Sequence, residues 1–413
     1  MSQTHPAAER TGRPETGLLR LLGPAFVAAI AYVDPGNVAA NLSAGAGYGY
    51  LLLWVLILAN AMAVVIQYLS AKLGLVTGRS LPELLGERLP RTARLLYWAQ
   101  AEIVAAATDL AEVIGGALAL YILFGVPLPL GGVIVGGVSL AILAVQNTGQ
   151  RRFEVVVIGL LAVIVIGFMA GLVVSPLDAG GIAAGVVPRF DGTETVLLAA
   201  SMLGATVMPH AIYLHSSLAR DRHGHTTDPQ GLRRLLSATR WDVALALVVA
   251  GSVNIAMLLL AAASLRGVEG TDTIEGAAAA ITAEFGTVIG VAFAVGLLAS
   301  GLASTSVGAY AGAAIMAGLL HVRVPLLARR LVTIVPAVAI LAAGIDPTWA
   351  LVLSQVVLSL GIPFALVPLV HLTRRADLMG AFVNARALTA VAVSVTGAIV
   401  ALNVVLLYLT VAG

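Results

Sequence analysis

The chain has 413 residues, 59% of them hydrophobic and only 11% charged, with a formal net charge of +2 and a mean hydropathy of +0.99. A soluble domain carries about 25% charged residues, so this composition cannot cover a water-exposed surface for a chain of this size. Cysteine is absent, which excludes disulfides and thiolate metal sites, and the arginines sit in short connections rather than on a basic face for nucleic acid.

Apolar runs of about 20 residues read as spanning helices, and these Ala/Val/Leu/Gly runs lack the alternation of barrel strands. The expected fold class is an all-α polytopic membrane protein with eleven transmembrane helices, at roughly 19–42, 49–75, 93–121, 128–146, 154–174, 195–218, 241–264, 283–318, 328–344, 349–371 and 386–410. The eighth is long for one crossing and is expected to run into a loop. Residues 1–17 read as a cytoplasmic tail and 18–413 as a single transmembrane domain. Arginines ahead of Leu21–Val33 also resemble a signal peptide, but Asp34-Pro35 interrupts the small-residue region such a peptide would need.

Charge placement predicts orientation. With the amino terminus inside, 21 of the 23 basic residues fall on inner connections, all but Arg189 and Arg266. This predicts an inner (plasma) membrane protein with a cytoplasmic amino terminus and an external carboxyl terminus. The outer loops are acidic, with Asp178, Asp191 and Glu194 in one and Glu269, Asp272 and Glu275 in another. Solvated loop charge is the ordinary reading of these residues.

The first segment contains Ala31-Tyr32-Val33-Asp34-Pro35-Gly36-Asn37, and the sixth contains Gly204-Ala205-Thr206-Val207-Met208-Pro209-His210. Pro35, Gly36 and Pro209 break helices that lipid cannot rescue, so both breaks must face protein or water. A single proline kink is ordinary in a membrane helix. Two kinks, each bearing polar or metal-binding side chains and lying five segments apart, predict two inverted five-helix repeats, about 19–174 and 195–371, with the eleventh helix outside them.

Asp34 offers an anionic oxygen, Asn37 a neutral one, and the unwound Ala31 and Ala205 can present carbonyls. Met208 adds a soft sulfur, which favours transition metals over magnesium or calcium. In the third segment, Glu102, Asp109 and Glu112 fall on one helical stripe that must face the interior. Arg329 and Arg330 are natural partners for them at the inner side. His210 adjoins the metal-binding residues and can relay a proton or brace the break.

Asp34-Pro35-Gly36-Asn37 and Met208-Pro209-His210 resemble the two signature motifs of the natural resistance-associated macrophage protein (Nramp) family. The likeness runs from about Leu21 to Leu409 and takes in Thr108–Glu112, Gly301–Gly312 and Arg329-Arg330. It implies a leucine-transporter-like fold and proton-coupled import of Mn²⁺ or Fe²⁺. It also implies metal binding by Asp34, Asn37 and Met208, carbonyls from Ala31 and Ala205, and an approach of Gln355 in one state. A proton route from Asp34 through Asp109 to Glu112 and an arginine is implied as well. The metal and protons are then cargo, no resident cofactor is expected, and a monomer in the lipid bilayer suffices.

Two other functions are compatible with parts of the pattern. A sodium-coupled carrier of organic solutes would use the same breaks without needing Met208. An intramembrane metalloenzyme would need more ligands than Asp34 and His210, and no His-Glu-x-x-His motif is present. The absence of a Gly-rich phosphate loop also argues against ATP use.

Overall fold

The computed structural model describes residues 21–145, 149–271, 273–322 and 326–412; the side chains of 326–332, 406–407 and 409–412 lie outside the description. The expected tail at 1–17 falls outside it too. Among the described residues, all regular structure is helical.

In chain order the helices are α1 (Pro24–Ala29, continued by a 3₁₀ turn at Ile30–Val33), α2 (Pro35–Tyr48), α3 (Leu53–Thr77), α4 (Leu81–Arg88), α5 (Arg91–Phe124) and α6 (Leu128–Ala144). They continue with α7 (Gln150–Val174), α8 (Ala179–Gly185), α9 (Gly192–Thr206), α10 (Pro209–His223), α11 (Pro229–Ser264) and α12 (Ile274–Phe285). The last five are α13 (Thr287–Leu320), α14 (Leu326–Ala342), α15 (Pro347–Thr373), the short α16 (Ala376–Met379) and α17 (Arg386–Ala412). Many starts are written in the sequence as a polar cap followed by proline in the first turn. Asp34, Ser80, Asp228 and Asp346 all accept from backbone amides in this way, and Ser80 with Glu83 forms a reciprocal capping box.

Among the described residues, eight helices are long and apolar enough to cross a membrane, counting α9 and α10 as one unit. The remaining expected segments hold shorter apolar helices, at Pro24–Val33, Leu128–Ala144 and Thr333–Ala342. This is an integral membrane protein. The eighth segment begins later than expected. Gly286, with φ 84°, separates α12 from α13, so residues 283–285 belong to the loop helix.

The packing carries an internal two-fold relation. Number the helical segments one to ten as expected from the sequence. The seventh (α11) packs on the half of the first that follows its break (α2), and the second (α3) packs on the corresponding half of the sixth (α10). The eighth (α13) packs on the fifth (α7), and the third (α5) on the tenth (α15). Shifting every number by five, modulo ten, exchanges the members of each pair of contacts. The third–eighth and fourth–ninth contacts map onto themselves. Two inverted repeats produce this pattern. The α5–α13 seam at the centre is lined on α13 by Gly301, Ser304, Thr305 and Gly308, small residues that let membrane helices approach closely.

Candidate metal centre

Asp34 leaves the helical region (φ −71°, ψ 167°) and becomes the cap of α2. Its Oδ1 accepts from the Asn37 backbone N–H at 2.8 Å and from Asn37 Nδ2 at 2.6 Å. Unwinding leaves backbone carbonyls without helical partners, and buried carbonyls need new donors. Asn254 Nδ2 on α11 donates to the Tyr32 carbonyl at 2.6 Å, and Ser300 Oγ on α13 donates to that of Val33 at 2.6 Å. Asn254 also accepts from Asn41 Nδ2 at 2.9 Å. The sequence marks Asn254 only as one polar residue in an apolar run, and Ser300 is lost among the small residues of α13. Their bracing role depends on partners more than 200 residues away.

The second break opens at Val207 and Met208, and Met208 precedes Pro209 as the cap position of α10. The two breaks meet through Asn37, whose Nδ2 also donates to the Ala205 carbonyl at 2.8 Å. That carbonyl, expected from the sequence as a donor to metal, is here held by an amide. Ala31, Asp34, Asn37, Ala205, Met208 and Gln355 have no solvent exposure at all. Asp34 Oδ2, Asn37 Oδ1 and Gln355 Oε1 are buried acceptors with no hydrogen-bond partner. Buried acceptors without donors are costly and rare in a folded protein. A bound cation would satisfy all three.

Gln355 reaches the site from α15. A methyl group on Gly36 would overlap its amide and lie 3.1 Å from Asp34 Oδ2, so only glycine lets the two side chains share this corner. Gly36→Ala should therefore push Gln355 off Asp34, with about 1–3 kcal/mol of overpacking. We expect Mn²⁺ flux in proteoliposomes to fall in Gly36→Ala and to recover to the level of Gln355→Ala in the double variant. A double variant no better than Gly36→Ala would show that the crowding lies elsewhere.

Asp109 and Glu112 are buried on α5 and converge on Gly308 of α13, where a methyl group would lie 3.1 Å from Asp109 Oδ1 and 2.8 Å from Glu112 Oε2. Glu102 shares their stripe but is only partly buried. His210 links this stripe to the second break. Its Nδ1 lies 3.4 Å from Thr108 Oγ1, and its Nε2 has no partner. The side chains of Arg329 and Arg330 lie outside the described residues. A buried hydrogen-bond chain runs from His215 Nδ1 to Gln67 Oε1 at 2.8 Å and from Gln67 Nε2 to the Tyr32 hydroxyl at 2.7 Å.

Both ends of the molecule are tied across the site. At the end that carries most of the arginines, Asp242 accepts from Gly23 and Ala25 N–H at 3.0 Å each, holding the start of α1, and Arg222 pairs with Glu154 at 3.3 Å. Arg220 pairs with Glu83 there as well. Burial pushes the Glu83 carboxyl up, but the Ser80 amide and Arg220 together hold it below the usual range. At the other, more acidic end, the Tyr48 hydroxyl donates to Glu194 Oε2 at 2.5 Å, joining α2 to α9. The centre is thus enclosed, with each half of each broken helix bonded to a neighbour.

The Nramp family model, described as natural resistance-associated macrophage protein-like, matches residues 25–409. The chain belongs to the Nramp family. It is 64% identical over 394 residues to a divalent metal cation transporter MntH of Mycobacterium tuberculosis, covering 95% of this chain and 92% of that one. It is 47% identical over 400 residues to the MntH of Bacillus subtilis, with coverage of 95% and 92%. A crystal structure of the Eremococcus coleocola manganese transporter superposes with a TM-score of 0.86 at 30% identity, covering 95% of this chain and 88% of that one. MhsT in complex with L-phenylalanine shares the fold at 15% identity, with a TM-score of 0.61, which places this Nramp chain among the leucine-transporter-like folds. The family is one of transporters rather than enzymes.

Proposed function

We propose that this protein is a secondary transporter that carries Mn²⁺ or Fe²⁺ into the cell together with protons, by alternating access. The observation that carries the reading is the trio of orphaned buried acceptors on Asp34, Asn37 and Gln355, set at two apposed helix breaks beside Met208. One carboxylate with neutral oxygens and a thioether binds a divalent transition metal while still permitting release. The carbonyl ends of α1 and α9 point toward the same place, and carbonyl ends attract cations. The relatives described as divalent metal cation transporters support the same cargo.

Proton coupling rests on the third-segment carboxylates. In this reading protons pass from Asp34 past His210 to Asp109 and Glu112, and then to an arginine, Arg330 in preference to Arg329. The basic end faces the cytoplasm, by the positive-inside rule. Opening toward that side requires α1 to leave Asp242 and the Arg222–Glu154 pair to part.

The deciding experiment is Mn²⁺ uptake into proteoliposomes loaded with a pH-sensitive dye. Saturable uptake that acidifies the lumen and is indifferent to Na⁺ supports the proposal. Na⁺-dependent uptake of an organic solute without metal flux would replace it with the solute-carrier reading. Asp109→Asn should cut proton movement on the order of tenfold or more while leaving Mn²⁺ affinity nearly unchanged. Equal loss of proton movement and metal binding would remove Asp109 from the proton route.

A further inference from the structure

At the basic end, a groove of about 290 Å³ opens on the outer surface between α3, α11 and α17, lined by Val64, Val65, Tyr68, Arg240, Val243 and Leu388. The groove grades from polar to apolar along its length. Arg240 Nε donates to the Tyr68 hydroxyl at 3.3 Å, and the guanidinium lies 5.3 Å from the centre of the Tyr68 ring. Val64 and Val65 sit about one helical turn deeper than Tyr68, at 1.5 Å per residue. Leu388 is two residues from the start of α17, so the groove's mouth lies near the level where a membrane helix meets the headgroups. Trp241, beside Arg240, is 58% exposed, as anchors at that level are.

Further donors lie beside the groove, and among the described residues no carboxylate pairs with them. Lys72 is buried one turn along α3 from Tyr68, and its ammonium donates only to Asn384 Oδ1, at 2.7 Å. Asn384 is itself more than nine-tenths buried, and its Nδ2 has no partner. The nearest carboxylate along the chain, Asp242, turns away to cap α1. Two cations and an idle amide donor, paired with no carboxylate among the described residues, make an anion site without its anion. Adjacent apolar walls of valine and leucine give the ligand a hydrocarbon tail.

We propose that this groove binds an anionic phospholipid, its phosphodiester held by Arg240, Lys72 and Asn384 and one acyl chain lying against Val64, Val65 and Leu388. Bound there, the lipid clamps the eleventh helix, which lies outside the inverted repeats, to α3 and α11. The inference is independent of the transported ion.

The test is native mass spectrometry of the full-length protein released from micelles holding equal phosphatidylglycerol and phosphatidylcholine. The wild type should retain phosphatidylglycerol preferentially. Each cation near a membrane surface contributes about 1 kcal/mol toward anionic lipid, so Arg240→Gln should lower that retention about fivefold. Leu388→Trp, which fills the groove and leaves the charges, should lower it as well. Arg233→Gln with Arg234→Gln, exposed arginines outside the groove, should not. Equal retention of both lipids, unchanged retention in Arg240→Gln, or an equal loss in the Arg233/Arg234 variant overturns the proposal. So does competition by millimolar inorganic phosphate, which would make the site one for free anions. Arg240 is exposed, so the test does not depend on the folding of a Lys72 variant.

Discussion

Asp34→Asn abolishes Mn²⁺ transport while leaving the apo protein at least as stable as the wild type. The two halves of this expectation come from the two oxygens of one carboxylate. Oδ1 caps α2 by accepting from the Asn37 N–H, and asparagine caps a helix about as well as aspartate. Oδ2 is buried with no partner, so in the absence of metal the charge is an uncompensated cost that the substitution removes. Metal binding moves the opposite way. A dication in this enclosed centre would face only neutral donors, and losing the charged partner of a buried pair costs about 3–5 kcal/mol, or roughly 10² to 10⁴ in affinity. The measurement is a pair of curves, thermal unfolding with and without Mn²⁺, and Mn²⁺ flux. The wild type should gain stability with metal, by about 2.7 kcal/mol at a hundredfold excess over the dissociation constant. Asp34→Asn should start equal or higher and gain nothing. Normal flux in that variant, or an undiminished metal-induced gain, would remove Asp34 from the site.

The breaks were legible because proline and lipid are both unforgiving. Pro35 and Pro209 each remove an amide donor in a medium that supplies none, and that local fact suffices to locate both breaks. Helix starts such as Ser80 and Asp228 were likewise local, a cap followed by proline. What holds the breaks together was not legible. The Tyr32 and Val33 carbonyls are braced by Asn254 and Ser300, and the first turn is held by Asp242, contacts that only the assembled bundle creates. The boundary at Gly286 was hidden for a different reason. The stretch 277–285 ahead of it is apolar but for Thr282 and Glu284, and hydropathy alone cannot separate a loop helix from a crossing. Helical spacing puts Glu102 on the stripe of Asp109 and Glu112 by angle, but angle says nothing of depth. The helix α5 is 34 residues long, and Glu102, two turns nearer its basic end than Asp109, is only partly covered. Ala205 makes a related point. The unwound position frees its carbonyl as the sequence implies, yet Asn37 reaches that oxygen first. In this enclosed arrangement Asn37 is therefore a tie between the repeats as well as a candidate ligand, and metal entry must compete with the tie.

Met208→Leu should convert a transition-metal site into one that admits Ca²⁺ or Mg²⁺. Met208 is fully buried at the cap of α10, so truncation to alanine mixes two effects. A buried methionine-to-alanine change costs about 2–5 kcal/mol through its cavity, and a damaged fold could lower transport of every ion alike. Leucine nearly conserves the volume, at less than about 1.5 kcal/mol, and removes only the sulfur. A thioether favours Mn²⁺, Fe²⁺ and Cd²⁺ and offers little to hard alkaline-earth ions. Without it the site keeps one carboxylate and neutral oxygens, a donor set that suits Ca²⁺ and Mg²⁺. The readout is therefore a ratio, Cd²⁺ or Mn²⁺ flux against Ca²⁺ flux in the same vesicles, which general destabilisation leaves unchanged. We expect the ratio to fall on the order of tenfold in both Met208→Leu and Met208→Ala, the soft-donor contribution being of the size of a single charged hydrogen bond, about 1.5–3 kcal/mol. An unchanged ratio in Met208→Leu would make Met208 a packing residue of the broken helix, and selectivity would then rest on Asp34, Asn37 and Gln355 alone.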